Sequence, residues 1–234
     1  GNTYVVPSEG IAVVTDSIGT EATEYENLED AVTYVMSQAS AEGNEAVEYT
    51  ITIEEGNMAF PDGGMLFEDS NRNGYGNRVT IDLGGYTLIV ADGKNPAVIG
   101  AKYVHNGVIS VGDDACLRMY AGVETRECLY ENIDVIYKST TSGADNTPML
   151  SILVNSGSKL VLADTVTVEK FSDIFVSGDV EVNCDLAAAW VELGDQVNTN
   201  ATTVIHGSVS ADDMLIMWGG NIDVDKLTSK TETR

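Results

Sequence analysis

From Tyr49 onward the chain alternates short apolar runs with turns marked by Gly, Asn and Asp. In Tyr49-Thr50-Ile51-Thr52-Ile53 every second residue is large and apolar, which puts one face of a strand in a core and its threonines on the other. That run stops at Glu54-Glu55-Gly56. A polar loop follows, then Arg78-Val79-Thr80-Ile81-Asp82-Leu83, a Gly84-Gly85 turn, and a further run beginning Tyr86-Thr87-Leu88. Short strands are predicted at Val79–Leu83, Val108–Val111, Ile133–Ile136, Leu150–Val154 and Lys159–Leu162. Others are predicted at Thr165–Val168, Val180–Val182, Thr203–Ile205 and Ile222–Val224. Asn106-Gly107, Ser156-Gly157, Ser177-Gly178-Asp179, His206-Gly207 and Gly219-Gly220-Asn221 supply turns between them. The strand centres recur loosely at about 20–28 residues, the length of one coil of two or three strands in a repeating stack. The predicted fold is all-β and solenoidal. A β-sandwich is the alternative, although its hairpin turns would fall about every 8–12 residues.

One segment carries the other period. Leu28, Ala31, Val32, Val35, Met36 and Ala39 recur at three-and-four spacing after Asn27, a residue that caps helices, with Glu29 and Asp30 in the first turn. A helix is predicted over about 28–40, ending by Gly43. Its apolar stripe needs a surface to cover, and the open end of a β-stack is one. Ahead of it, Tyr4-Val5-Val6 and Ile11-Ala12-Val13-Val14 are β-prone, and Glu21 to Glu26 reads as an acidic linker. At the other end a polar tail, Thr228–Arg234, follows the last predicted strand without a second capping helix. The stack is expected either to end bare there or to continue in a longer protein.

A helix followed by YTITIEEG, NRVTIDLGGYTLIV and VHNGVISV resembles the opening of the pectin-lyase-like superfamily over roughly residues 28–112. The resemblance implies a right-handed parallel β-helix with an N-terminal capping helix. The implied layout is an N-terminal β-prone segment and linker over 1–27 and a β-helix domain over 28–234, together one structural unit. Function is less constrained, because that fold hosts lyases, glycosidases, phage tailspikes and non-enzymatic surface adhesins.

Charge narrows the partners. With 37 acidic against 12 basic residues the net charge is −25, and Lys and Arg nowhere form a run. Phosphate recognition rests on clustered cations, so nucleic acid and anionic lipid surfaces are excluded as partners. No apolar run approaches the 18 or so residues of a membrane-spanning helix. The chain opens at Gly1 without Met and without a signal peptide, as expected of a processed or trimmed form. Cys116, Cys128 and Cys184 show no C-x-x-C pair; a Cys116–Cys128 disulfide and buried free thiols are the two readings.

Candidate chemistry is fragmentary. Asp69-x-Asn71-x-Asn73-Gly74 matches the first half of a calcium loop, in which alternate side-chain oxygens converge and Gly turns the chain. The twelfth position, normally a bidentate Glu, is Thr80. Asp69, Asn71 and Asn73 are the candidate metal ligands and Ca2+ the only cofactor suggested; a plain polar loop is the alternative. Val111-Gly112-Asp113-Asp114 resembles the Asp-Asp segment of the superfamily's polygalacturonase-like glycosidases. Their Gly-His-Gly and Arg-x-Lys signatures are missing, and a turn between strands is the competing reading of Asp113-Asp114. A lyase would need a base such as Arg78 beside calcium-binding carboxylates. His105 and His206 lack partners at motif spacing. Trp190 and Trp218 could stack on sugars, although the continuous apolarity of Leu215-Ile216-Met217-Trp218 suggests core. Asn200-Ala201-Thr202 is a glycosylation sequon. The expectation is a secreted or cell-surface, non-enzymatic module contacting an extracellular glycan or a host or cell-surface protein. A polysaccharide lyase or glycoside hydrolase of the same superfamily is the alternative.

Overall fold

The computed structural model describes residues 10–68, 74–122, 127–138, 147–230 and 232–233. The chain opens with β1 (Ile11–Asp16), β2 (Thr23–Tyr25), helix α1 (Leu28–Ala39), β3 (Tyr49–Glu55), β4 (Met58–Ala59) and β5 (Met65–Leu66). It continues through β6 (Val79–Asp82), β7 (Thr87–Val90), β8 (Ala97–Gly100), β9 (Tyr103–Val111), β10 (Cys116–Ala121) and β11 (Glu127–Tyr137). Then come β12 (Met149–Val154), β13 (Lys159–Leu162), β14 (Thr167–Val168), β15 (Phe171–Ser177) and β16 (Val180–Val182). The last are β17 (Leu186–Leu193), β18 (Thr202–Met217), β19 (Asn221–Ser229) and β20 (Glu232–Thr233).

These strands pair into one open, 20-stranded sheet in which three parallel ladders can be followed. The first runs β3–β6–β9–β11–β13–β16–β18–β19. A second runs β4–β7–β9–β11–β14 and resumes with β17–β18–β19. The third is β5–β8–β10–β12–β15–β17–β18–β20. Along the first ladder, partners lie from 19 residues apart (Thr203 and Ile222) to 32 apart (Leu129 and Val161). The long strands β9, β11 and β18 each serve two ladders, and Asn106 and Asn132, at φ 62° and 52°, make the bends within β9 and β11.

Register stacks like on like. Ile51, Ile81, Val104, Tyr130, Leu162, Val182 and Ile205 occupy successive partner positions of the first ladder, each without exposed surface. Met65, Ile99, Met119 and Ile152 do the same in the third, again without exposed surface. Alternation within each strand thus becomes a continuous core across strands. The Gly84-Gly85 turn is forced by this stacking: a Cβ on Gly84 would lie 1.9 Å from the Ile53 carbonyl oxygen, and its φ is 59°.

The helix forms where its period predicts. The Asn27 side chain accepts the Asp30 amide, and Leu28, Ala31, Val32, Val35 and Ala39 are buried against β1, β2 and the core. It does not by itself close the stack. The edge of β3 is taken by β1, antiparallel, with β2 on the far side of β1. Part of the expected acidic linker is therefore strand. Arg78 clasps this end: its guanidinium donates to the carbonyls of Ala39, Asn44 and Val47 and lies 5.3 Å from the Tyr75 ring centre. At the opposite end β19 pairs, among the described residues, with β18 alone.

Candidate functional site

The sequence-derived candidates separate when placed in the fold. Asp69, Asn71 and Asn73 lie outside the described residues. Asp113-Asp114 is indeed a turn, with Asp114 at φ 53°, but Asp113 is buried rather than solvated. Its carboxylate accepts the Tyr137 hydroxyl at 2.7 Å and its amide donates to Asp92. Asp114 accepts the Thr147 hydroxyl at 2.8 Å. Both carboxylates thus tie strand ends together. Arg78 lines a depression of about 490 Å³ with Glu42 and Glu45, yet its N–H groups are directed into the three carbonyls of its clasp.

His105 and His206, a hundred residues apart, each follow a buried member of the same column, Val104 and Ile205. The His105 ring stacks on Tyr103 with centroids 4.1 Å apart, and its Nε2 is 3.8 Å from Asp82. Tyr103 donates its hydroxyl to Glu131. That hydrogen bond to a carboxylate, with partial burial, pushes the phenol up to about 12 and keeps it protonated at neutral pH. Further along this face a groove of about 850 Å³ is lined by Lys102, Glu127, Lys159, Asp179 and Glu181. Its lysines are engaged, Lys102 with Glu48 at 2.8 Å and Lys159 with Glu181 at 2.6 Å. Cys116, Cys128 and Cys184 are free thiols, and burial pushes Cys128 up to about 12, so it offers no thiolate nucleophile at neutral pH.

The third ladder carries what the sequence reading discounted. The pairing of β17 with β18 shifts register between Ala188 and Trp190. A bulge of this kind re-aims a side chain. Beyond it Val191 and Leu193 point into the core while Trp190 and Glu192 stay half-buried on the outer side. Trp218 follows the end of β18 and is docked by its own amide on the Leu193 carbonyl. Both indoles converge on Glu192: Trp190 Nε1 donates to one carboxylate oxygen at 2.8 Å, Trp218 Nε1 to the other at 2.7 Å. Trp218 is 39% exposed and Met217 38%, so the run Leu215–Trp218 is core only at Leu215.

The surroundings are polar and built. Asp173 pairs with Trp190, and Phe175 pairs with Glu192. One Asp195 oxygen accepts the amides of Asn198 and Val197, which chiefly hold its carboxyl below the ordinary range, and the other accepts the Ser177 hydroxyl. Asp195 also donates its amide to Gly219, next to Trp218. The sequon residue Asn200 is exposed in the same loop. With both indole N–H groups spent on Glu192, the rings are fixed in orientation and can offer a ligand only their faces.

Comparison with protein-family models, with curated proteins and with solved structures finds no match. The functional reading therefore rests on this geometry.

Proposed function

We propose that this chain is a non-enzymatic glycan-contact module, secreted or displayed at the cell surface, wound as a right-handed parallel β-helix. Support for the winding comes from three parallel ladders visited in the same order, with core side chains in register from rung to rung. The right hand follows the general preference of parallel crossovers. No helix among the described residues is long and apolar enough to cross a membrane.

The observation that carries the functional reading is the Trp190–Glu192–Trp218 arrangement on the outer face. A fixed, part-exposed indole presents the flat apolar surface on which a pyranose ring stacks, and Asp173, Asp195 and Ser177 supply oxygens nearby for its hydroxyls. The favoured ligand is a neutral or amino-sugar glycan, because a body of net charge −25 repels uronates. Glu192, with one indole N–H on each carboxylate oxygen, orients the two rings.

The test is retention of the purified chain on immobilised mannan, β-glucan, chitin and polygalacturonate, with assays for released reducing ends and unsaturated sugars. Retention on a neutral or amino-sugar matrix, weakened at least tenfold by Trp218→Ala and without sugar release, is expected. Retention on none of these, equal retention of the variant, or turnover would overturn the proposal.

A further inference from the structure

The outer side of the second ladder is hollow beside α1. Ile89 of β7 and Ser110 of β9 are register partners. Each alternates with core residues, Leu88 and Val90 in one strand, Ile109 and Val111 in the other, so both side chains leave the sheet on its outer face. They are nevertheless only 8% and 4% exposed. The segment after β4 and the first turn of α1 shelter them. The amide of the buried Phe60 donates to the Ile89 carbonyl at 2.8 Å, and the Glu29 carboxylate accepts the Gly63 amide at 3.2 Å. Between these walls lies a cavity of about 770 Å³, a size that suits a small ligand.

Two polar groups in its lining are incompletely used. Ser110 Oγ makes no hydrogen bond among the described residues, although the residue is buried. A sheltered hydroxyl of this kind is a ready partner for a ligand. Glu29 gives one oxygen to Gly63, and its other oxygen has no donor among the described residues. Asp62 is paired with Lys94, and Asp92 and Lys138 are likewise engaged. The lining sets Glu29, Asp62 and Asp92 against Lys138, in a chain of net charge −25, so its field favours a cation. The start of α1 does not reverse that preference, because Asn27 already accepts the Asp30 amide.

We propose that this cavity binds a small amine built on an apolar ring that also carries a hydroxyl. The ring lies over Ile89 and Phe60, the hydroxyl meets Ser110 Oγ, and the ammonium pairs with Glu29. The site shares no residue with the Trp190–Glu192–Trp218 cluster, so either can stand without the other.

Isothermal titration calorimetry of the full chain with tyramine tests it, at about 150 mM salt, where the Debye length is about 8 Å and diffuse attraction to the acidic surface is screened. Saturable binding at one site is expected. Glu29→Gln should weaken it about tenfold, by loss of a charge-assisted bond, and Ser110→Ala about fivefold, by loss of a neutral one. Both substitutions are mild, and an unchanged melting temperature checks that the variants fold. Phenethylamine, which lacks the hydroxyl, should bind about fivefold more weakly than tyramine and be indifferent to Ser110→Ala. The carboxylate analogue para-hydroxyphenylpropionate should not bind. Failure of tyramine to saturate, undiminished binding in either variant, or equal binding of phenethylamine or of the carboxylate analogue overturns the proposal.

Discussion

At the scale of single residues, two tyrosines in neighbouring positions of β11 and β9 behave oppositely. Tyr130 sits in the aliphatic column with its hydroxyl fully buried and without a partner at hydrogen-bond geometry among the described residues, the Cys128 thiol beside it offering only a weak contact. An unpaired buried hydroxyl costs about 1–3 kcal/mol, so Tyr130→Phe should leave stability unchanged or raise it by about 1 kcal/mol in chemical denaturation. A loss above about 1 kcal/mol would reveal a partner such as a buried water. Tyr103 is held protonated by Glu131. Its folded pKa of about 12 exceeds the ordinary 10.0, so its stabilising contribution is intact below pH 10 and is lost as pH rises through about 12. The absorbance difference between wild type and Tyr103→Phe should titrate near 12, and Glu131→Gln should return it toward 10; a wild-type midpoint near 10 would remove the Tyr103–Glu131 bond from the account. The Trp pair shows why the site was only half legible. Trp190 and Trp218 are visible in the sequence, but the bulge that turns Trp190 outward and the end of β18 before Trp218 are not. An unbroken apolar run hides the point at which a strand leaves the core.

At the scale of elements, α1 was legible because its period, its Asn27 cap and its acidic first turn agree. Val35 is fully buried on its inner stripe while Thr33 is exposed. Val35→Asp should lower unfolding free energy by on the order of 3 kcal/mol or more, since it buries a charge without a partner; Thr33→Asp should stay within about 0.5 kcal/mol. Equal, small effects would mean that the stripe does not cover the sheet. Several first-ladder strands were equally legible, as where Ile, Val and Thr alternate in Tyr49–Glu55 and Val79–Asp82, but the first-ladder halves of β9 and β11, at 103–105 and 127–130, were not. Most of the third ladder was missed. Met65-Leu66, Ala97–Gly100, Cys116–Ala121 and Leu186–Leu193 are rich in Ala, Met, Cys and Gly, whose preference for strands is weak, and only stacking against neighbours makes strands of them. Thr23–Tyr25 was hidden for a related reason: it is strand because β1 is beside it, not because of its own acidic sequence.

At the scale of the whole molecule, repetition builds the core and leaves function to the outer face. Inward positions are bound by register, so chemistry can vary only outward, where Asp82, His105 and Glu131 form one polar column and Trp190, Glu192 and Trp218 another cluster. The chain has two tryptophans and both belong to that cluster, so all of its indole emission reports on the proposed site. The most direct measurement is therefore a tryptophan-fluorescence titration of the intact chain with soluble mannan, β-glucan and chitin oligosaccharides, and with oligogalacturonate as the charged comparison. Saturable change with a neutral or amino-sugar ligand, none with oligogalacturonate, and loss of the saturable response in Trp218→Ala is the predicted result. Emission that stays constant with every neutral and amino-sugar ligand, or that responds best to oligogalacturonate, would contradict it.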